Sequence, residues 1–445
     1  MSELNNMQKS HSEFGHEWRS NTNPAVFGGL ARARLEVALH PIVNILTGET
    51  YGHEALMRNF ELLGFKSAQD LIDYADSIGC LFELESLLCQ KAAEKYTTIN
   101  PSREQKLFLN IDGRLLERPH FVSENIDRLV SRYGIPASNL CLELSEKYDN
   151  AAAAFINEIV QHCFDRGYRV AIDDYGMGVS ELKVLYEYQP DYVKIDRFFI
   201  NGIDRDSRKR IFVSTVVDLA HLLGQKVIAE GVESETELLA SRDVGCDLVQ
   251  GFFVCQPQVE TNEISRIYTH IAQIIDRRNK PVESESELIC NEISKIEALT
   301  EGVDMAYVIE RFKECDKQSF FPVVDCNREP RGIIAESDLR KLIYSSCKQD
   351  ILQTSYSKLD LNKFVRRCPI ADINSDTDRL FELLTDESSE GIIITKNMRY
   401  EGFLTAYSLA KLANQKSIKF AQEQNPLTKL PGNSVVNDFV FNAAE

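Results

Sequence analysis

Residues 169–196 read RVAIDDYGMGVSELKVLYEYQPDYVKID. A β-branched apolar run, RVAI, ends in two acids. A stretch with helical spacing, ELKVLYEY, follows. A second apolar run, YVKI, then ends in another acid. Buried parallel strands read as short continuous apolar runs, and a parallel pair needs a crossover of a dozen residues or more, usually a helix. The stretch is therefore predicted to be a strand–helix–strand unit with polar groups at the C-terminal end of each strand.

The same pattern extends in both directions. Upstream lie LEVALHPIVNI (35–45), then SAQDLIDYADSIG; KLFLNID (106–112); and LCLELSE (140–146), then AAAAFINEIVQHCFDRG. Downstream lie KVIAEGVE (226–233) and LVQGFF (248–253). Strand–helix alternation over about 220 residues is what a closed α/β barrel requires. An open doubly wound sheet is the alternative, but its first strand would normally lead into a Gly-rich phosphate turn, and GETYG (48–52) is not one.

The chain has 445 residues, 43% hydrophobic and 27% charged, a globular composition. Its 50 basic and 68 acidic side chains give a net charge of −18. That excludes a nucleic-acid polymer as partner, since such binding needs a basic footprint. No run approaches the ~18–20 apolar residues of a membrane span. The eleven cysteines are scattered, several of them in apolar runs, and the N-terminus lacks a signal-peptide pattern, so a cytoplasmic protein with reduced thiols is expected.

The chemistry lies where the apolar runs stop. Glu54, Asn110, Glu143, Asp173 with Asp174, Lys194, Glu230 with Glu233, and Gln250 all fall at or near predicted strand ends. One such residue would be ordinary solvation, but a whole series at one end of a barrel is a site. Several carboxylates in one mouth cannot all stay ionised without counter-charge. Hard divalent cations, Mg²⁺ or Mn²⁺, suit an all-oxygen donor set. Adjacent Asp173 and Asp174 would point to opposite faces of a regular strand, so both reach a two-metal site only if the chain turns there. Lys194 could steady the attacking hydroxide and the charge on a transferring phosphorus.

Glu54-Ala55-Leu56-Met57-Arg58 reads E-A-L-x-R, and this region resembles the EAL-domain cyclic di-GMP phosphodiesterases. The likeness continues through LNID, ELSE, DDYGMG, VKID, AEGVE and QGFF, over about residues 30–260. It implies a modified (β/α)₈ TIM-like barrel that linearises cyclic di-GMP to pGpG with Mg²⁺ or Mn²⁺. By resemblance, Glu54, Asn110, Glu143 and Asp173 hold one metal, and Asp173 and Asp174 contribute to a second. Glu230 is either a general base or a metal ligand. Lys194 orients the water, and Gln250 lies near it. Arg58 contacts substrate phosphate, Leu56 lies below the ligand, and Glu233 braces the loop after Asp174. That loop departs from the usual pattern at Tyr175 and Glu181, and His40 stands where Gln is common. No metal or base position is missing. The alternative, a catalytically silent cyclic di-GMP receptor, would show such losses.

The expected organisation is a polar tail (1–30), the barrel (31–265), a linker (266–287), a duplicated α+β module (288–418) and a C-terminal helix and stub (419–445). Residues SFFPVVD to PRGIIAESDL and EGIIITK to YEGFLTAYSL repeat one order of elements. This half resembles a tandem CBS pair, which implies a regulatory or dimerising role and an adenine-nucleotide site at Asp338 and Thr405. Each repeat lacks one of the two polar groups that such a site uses: Ala335 and Ser408 stand in their places. NPLTKLPGN (425–433) resembles the opening of a GGDEF domain. A homodimer is expected by resemblance.

Overall fold

The computed structural model describes residues 23–100, 102, 104–115, 122–145, 153–176, 181–278, 289–315, 318–339, 361–375, 377–383, 390–412 and 414. The expected tail up to residue 22, residues 177–180, residues 279–287 of the expected linker and the stub resembling a GGDEF opening lie outside the described residues; the rest of that linker, 266–278, is described and contains a helix, Thr269–Arg278. The chain divides into two compact units, 1–279 and 280–445.

In the first unit, eight strands close into a barrel in sequence order. They are β1 (Glu36–Asn44), β2 (Thr50–Arg58), β3 (Lys106–Asn110), β4 (Leu140–Ser145), β5 (Arg169–Tyr175), β6 (Tyr192–Ile195), β7 (Lys226–Ala229) and β8 (Leu248–Val249). Closure decides against the open sheet. The first strand is antiparallel to both β2 and β8, while β2 through β8 run parallel. A tight turn at 45–49 joins β1 to β2, a connection open only to antiparallel strands.

Helix α1 (Pro24–Arg34) precedes the barrel. The crossovers carry α2 (Ala68–Ser77), α3 (Leu81–Ile99), α4 (Asp127–Tyr133), α5 (Ala153–Arg166), α6 (Glu181–Tyr188), α7 (Ser207–Leu222) and α8 (Glu235–Asp243). Their starts are set by local polar groups. Ser67 caps α2 through the Asp70 N–H, and Asp206 caps α7. Ser234 and Glu237 form a capping box on α8, satisfying N–H groups the helix itself cannot. Leu107, Leu142, Ile172, Val193 and Val227 sit in one buried cluster with Leu129, Leu185, Val213 and Leu238 from the helices. Burying each such side chain stabilises the fold by about 1.5–3 kcal/mol.

The N-terminal end of the barrel interior is closed by the Tyr51 and Tyr192 hydroxyls, 2.6 Å apart, with Lys226 donating to Tyr51. A second apolar cluster lies to one side, where Phe27, Ala31 and Leu35 pack with Leu63, Phe65, Leu71, Ala75, Leu84 and Leu87.

The second unit repeats one design. Strands β9 (Leu299–Thr300), β10 (Phe320–Val324) and β11 (Pro330–Ala335), with helix Met305–Glu314, form a three-stranded sheet of order β11-β10-β9. Strands β12 (Ile370–Asp372), β13 (Gly391–Lys396) and β14 (Arg399–Thr405), with helix Thr377–Glu382, form another. Each has a short strand parallel to the middle one and an antiparallel hairpin with a register shift. The repeats exchange edges: Ser294, before the first, bridges Phe403, and Arg366, before the second, bridges Ile333. The sequence pattern lacked the opening strand of each repeat, because two or three residues carry too little periodicity.

Candidate active site

Glu54 lies on β2, Asn110 ends β3, Glu143 lies on β4, Asp173 and Asp174 lie on β5, and Lys194 on β6. Glu230 follows β7 and Gln250 follows β8. Parallel register brings them to one level: Asn110 pairs with Glu143, and Lys194 pairs with Ile228, two residues before Glu230.

The adjacent acids meet through a bulge. Between Ile172 and Tyr175 the β5 register gains one residue on β6, and Asp174 takes a left-handed φ of 55°. A bulge re-aims side chains that a regular strand would send to opposite faces. Asp173 and Asp174 therefore share a ligand group with Glu230, its offered oxygens all within 4.8 Å of one another. A second such group unites Glu54, Glu143 and Asp173. Asp173 belongs to both.

Lys194 stands among them with 0% exposure. Its Nζ lies 2.7 Å from Glu143 Oε1, 2.8 Å from Glu230 Oε1, 2.9 Å from Asp173 Oδ1 and 3.6 Å from Glu54 Oε1. Burial works against its charge, but Asp173, Glu143, Glu230 and Glu54 together raise its pKa well above the usual lysine value. Burial raises the pKa of Glu143, Asp173 and Glu230, and Lys194 only partly opposes this. Burial would raise Glu54 too, yet Lys194, His40 and the amides of Gln250 and Asn110 hold it below the ordinary value. Asn110 Nδ2 donates to Glu54 Oε1 at 2.9 Å, and Gln250 Nε2 to Oε2 at 2.8 Å. Both amides thus tie down the glutamate of the E-A-L triplet.

The donor set fits hard cations. It is all oxygen, and Glu143 Oε2 is buried with no hydrogen-bond partner among the described residues. One ammonium faces five carboxylates, leaving four negative charges when all are ionised, the charge of two divalent ions. Glu54, Glu143 and Asp173 would hold one, and Asp173, Asp174 and Glu230 the other.

Leu56, Arg58 and Glu233 are members of neither carboxylate group. Leu56 and Arg58 continue β2 and are half-buried, and Arg58 Nη1 donates to the Met57 carbonyl. Glu233 is outside both ligand groups, with its carboxylate 3.7 Å from Arg197 and 43% exposed. In the second unit, Asp338 pairs with Arg366 at 2.8 Å, and Thr405 Oγ1 accepts from the Ser408 N–H.

Two further residues have no role assigned by the sequence. His40 faces Glu54 across the β1–β2 register. Its Nε2 is 3.1 Å from the Cys255 carbonyl, which only accepts, so that nitrogen carries the proton. Glu85, on α3, is 5% exposed, and burial with the Asp112 charge pushes its carboxyl up to about 8, against the pull of Arg114. A raised carboxyl contributes instability as pH rises from its ordinary value through the folded one. The span from 4.5 to about 8 sets a ceiling of about 5 kcal/mol. Glu85→Gln is expected to match the wild type near pH 5 and to melt higher at pH 9, measured by thermal unfolding. Equal melting at both pH values would show that Glu85 ionises freely.

The family model of the EAL domain matches residues 25–257. The probable cyclic di-GMP phosphodiesterase PdeI of Escherichia coli is 31% identical over 228 residues, 50% of this chain and 29% of that protein. The cyclic di-GMP phosphodiesterase NbdA of Pseudomonas aeruginosa is 28% identical over 230 residues, 50% of this chain and 29% of that protein. This chain thus spans about a third or less of the length of these relatives. The EAL enzyme Bd1971, in a form bound to cAMP and cyclic di-GMP, superimposes with a TM-score of 0.50 at 25% identity, over 61% of this chain and 71% of that one.

Proposed function

Because the chain belongs to the EAL domain family, we propose that it is a phosphodiesterase that hydrolyses cyclic di-GMP to linear pGpG using two divalent cations, Mg²⁺ or Mn²⁺. The observation that carries this reading is the pair of carboxylate groups sharing Asp173. When bound, the cations supply Lewis-acid stabilisation of charge on the reacting phosphodiester. Arg58, at the rim, binds a substrate phosphate. Glu230, ionised beside the Lys194 ammonium and the cations, accepts a proton from the attacking water as oxygen adds to phosphorus. The bond from phosphorus to the 3′ oxygen breaks, and that oxygen takes up a proton from solvent, leaving a 5′ phosphate and a free 3′ hydroxyl. Lys194 offsets negative charge at that centre, and Gln250 and Asn110 keep Glu54 in place.

In this reading the duplicated second unit is a CBS-like module that modulates activity. Its repeated element order supports this, with Asp338 and Thr405 as candidate adenine-nucleotide contacts. The working form would be a cytoplasmic homodimer. No helix among the described residues is long and apolar enough to cross a membrane.

Incubation of the full chain with cyclic di-GMP and Mn²⁺, followed by chromatography, is expected to yield pGpG. EDTA is expected to stop the reaction. Tight binding of cyclic di-GMP without any product would instead identify a receptor.

A further inference from the structure

Beyond β3 the chain runs Asn110-Ile111-Asp112 into a short turn at Gly113–Leu115. The Arg114 guanidinium folds back on that segment as a fork. Its Nε donates to Asp112 Oδ1 at 2.8 Å and Nη2 to Asp112 Oδ2 at 2.7 Å, while the Arg114 backbone N–H also donates to Oδ1. The third nitrogen, Nη1, reaches outward to α2, 3.0 Å from Asp73 Oδ1 and 3.5 Å from Asp76 Oδ2. Bidentate guanidinium–carboxylate pairs fix geometry as well as charge.

The other face of α2 is tied to the substrate side of the mouth. Leu71 and Ala75 are buried in the lateral cluster, and Tyr74 packs edge-on against Phe27 and tilted against Phe65. That cluster includes Leu63, with Met57 and Phe60 packed against it. These residues flank Arg58 and its turn, whose tightness needs left-handed backbone at Asn59 (φ 67°) and Gly64 (φ 77°). One helix thus touches the segment after Asn110 on one side and the segment after Arg58 on the other.

We propose that Arg114 is a positioning residue. Through Asp112 it holds the strand end that presents Asn110, and through Asp73 and Asp76 it couples that end to α2 and so to Arg58. Arg114 touches neither metal nor substrate in this scheme. The inference rests on the phosphodiesterase reading for its substrate arm, but its metal arm is independent of turnover.

The test uses the full chain with Arg114→Met, Arg114→Lys and the double variant Asp73→Asn/Asp76→Asn, whose acids are exposed. Mn²⁺ is titrated calorimetrically into metal-free protein, and KM and kcat are measured separately. Arg114→Met is expected to weaken Mn²⁺ binding and raise KM by about five- to tenfold, the scale of a partly screened bidentate pair. Its kcat at saturating metal and substrate should stay within about twofold. Lysine should restore less than half of the loss, since a point charge cannot bridge three carboxylates as a fork does. The double variant should raise KM about two- to fivefold and leave Mn²⁺ affinity within about twofold. Unchanged Mn²⁺ affinity and KM in a folded Arg114→Met would overturn the proposal. If that variant fails to fold, an unchanged KM in the double variant overturns it. A wild type without turnover would sink the phosphodiesterase reading instead, and the Mn²⁺ titrations would then judge Arg114 alone.

Discussion

Asp173→Asn is expected to lower kcat/KM for cyclic di-GMP by about 10³-fold or more, about 4 kcal/mol of transition-state stabilisation. The reason is position. Every other acid of the mouth belongs to one ligand group, whereas Asp173 belongs to both. Replacing one of its oxygens by an amide nitrogen removes one donor atom and takes the residue's negative charge from both ligand groups at once. The same change deletes a negative charge 2.9 Å from Lys194, so it relieves carboxylate repulsion in the metal-free protein. Burial already raises the pKa of Asp173, Glu143 and Glu230. Such groups subtract stability as pH rises from the ordinary carboxylate range through their raised values. Asp173→Asn should therefore melt no lower than the wild type at pH 8 in EDTA, while losing most of the Mn²⁺-induced rise in melting temperature. A variant that keeps wild-type turnover would remove Asp173 from the metal site altogether.

The parts of this molecule legible in the sequence are those set by local pattern. Short apolar runs such as LCLEL and YVKI appear as barrel strands β4 and β6, because strands buried on both faces need no alternation. Polar residues at their C-terminal ends gather at one mouth because parallel register puts them at one level. Other features depend on contacts that no pattern encodes. The alternation rule sends Asp173 and Asp174 apart, and only the bulge against β6 brings both into one ligand group. Glu233 shares the AEGVE motif with Glu230 yet pairs with Arg197 outside the ligand groups. Arg114 was silent because its outward partner, Asp73, is 41 residues away on a helix of another crossover. Glu85 sits in a helix where periodicity alone does not say which carboxylate is covered.

Lys194→Met is the second large expectation, and its value lies in separating two roles. As counter-charge, the buried ammonium lets Glu143, Glu230 and Asp173 approach one another. Removing one partner of a buried ionic cluster costs about 3–5 kcal/mol, because the charges left behind are uncompensated. In EDTA the variant should melt about 10 °C below the wild type at pH 8. The sign follows from linkage. Without Lys194 the carboxylates bind protons more tightly in the folded state, so the deficit must shrink as pH falls toward 5 and the cluster is neutralised. Divalent cations should also close the deficit, since they supply the charge the methionine lacks. Turnover is expected to stay down by about 10³-fold even with saturating Mn²⁺, because metal restores the charge balance but not an ammonium beside the reacting phosphorus. If Mn²⁺ restored both melting and turnover, Lys194 would be a counter-ion only, and its part in the chemistry would have to be given up.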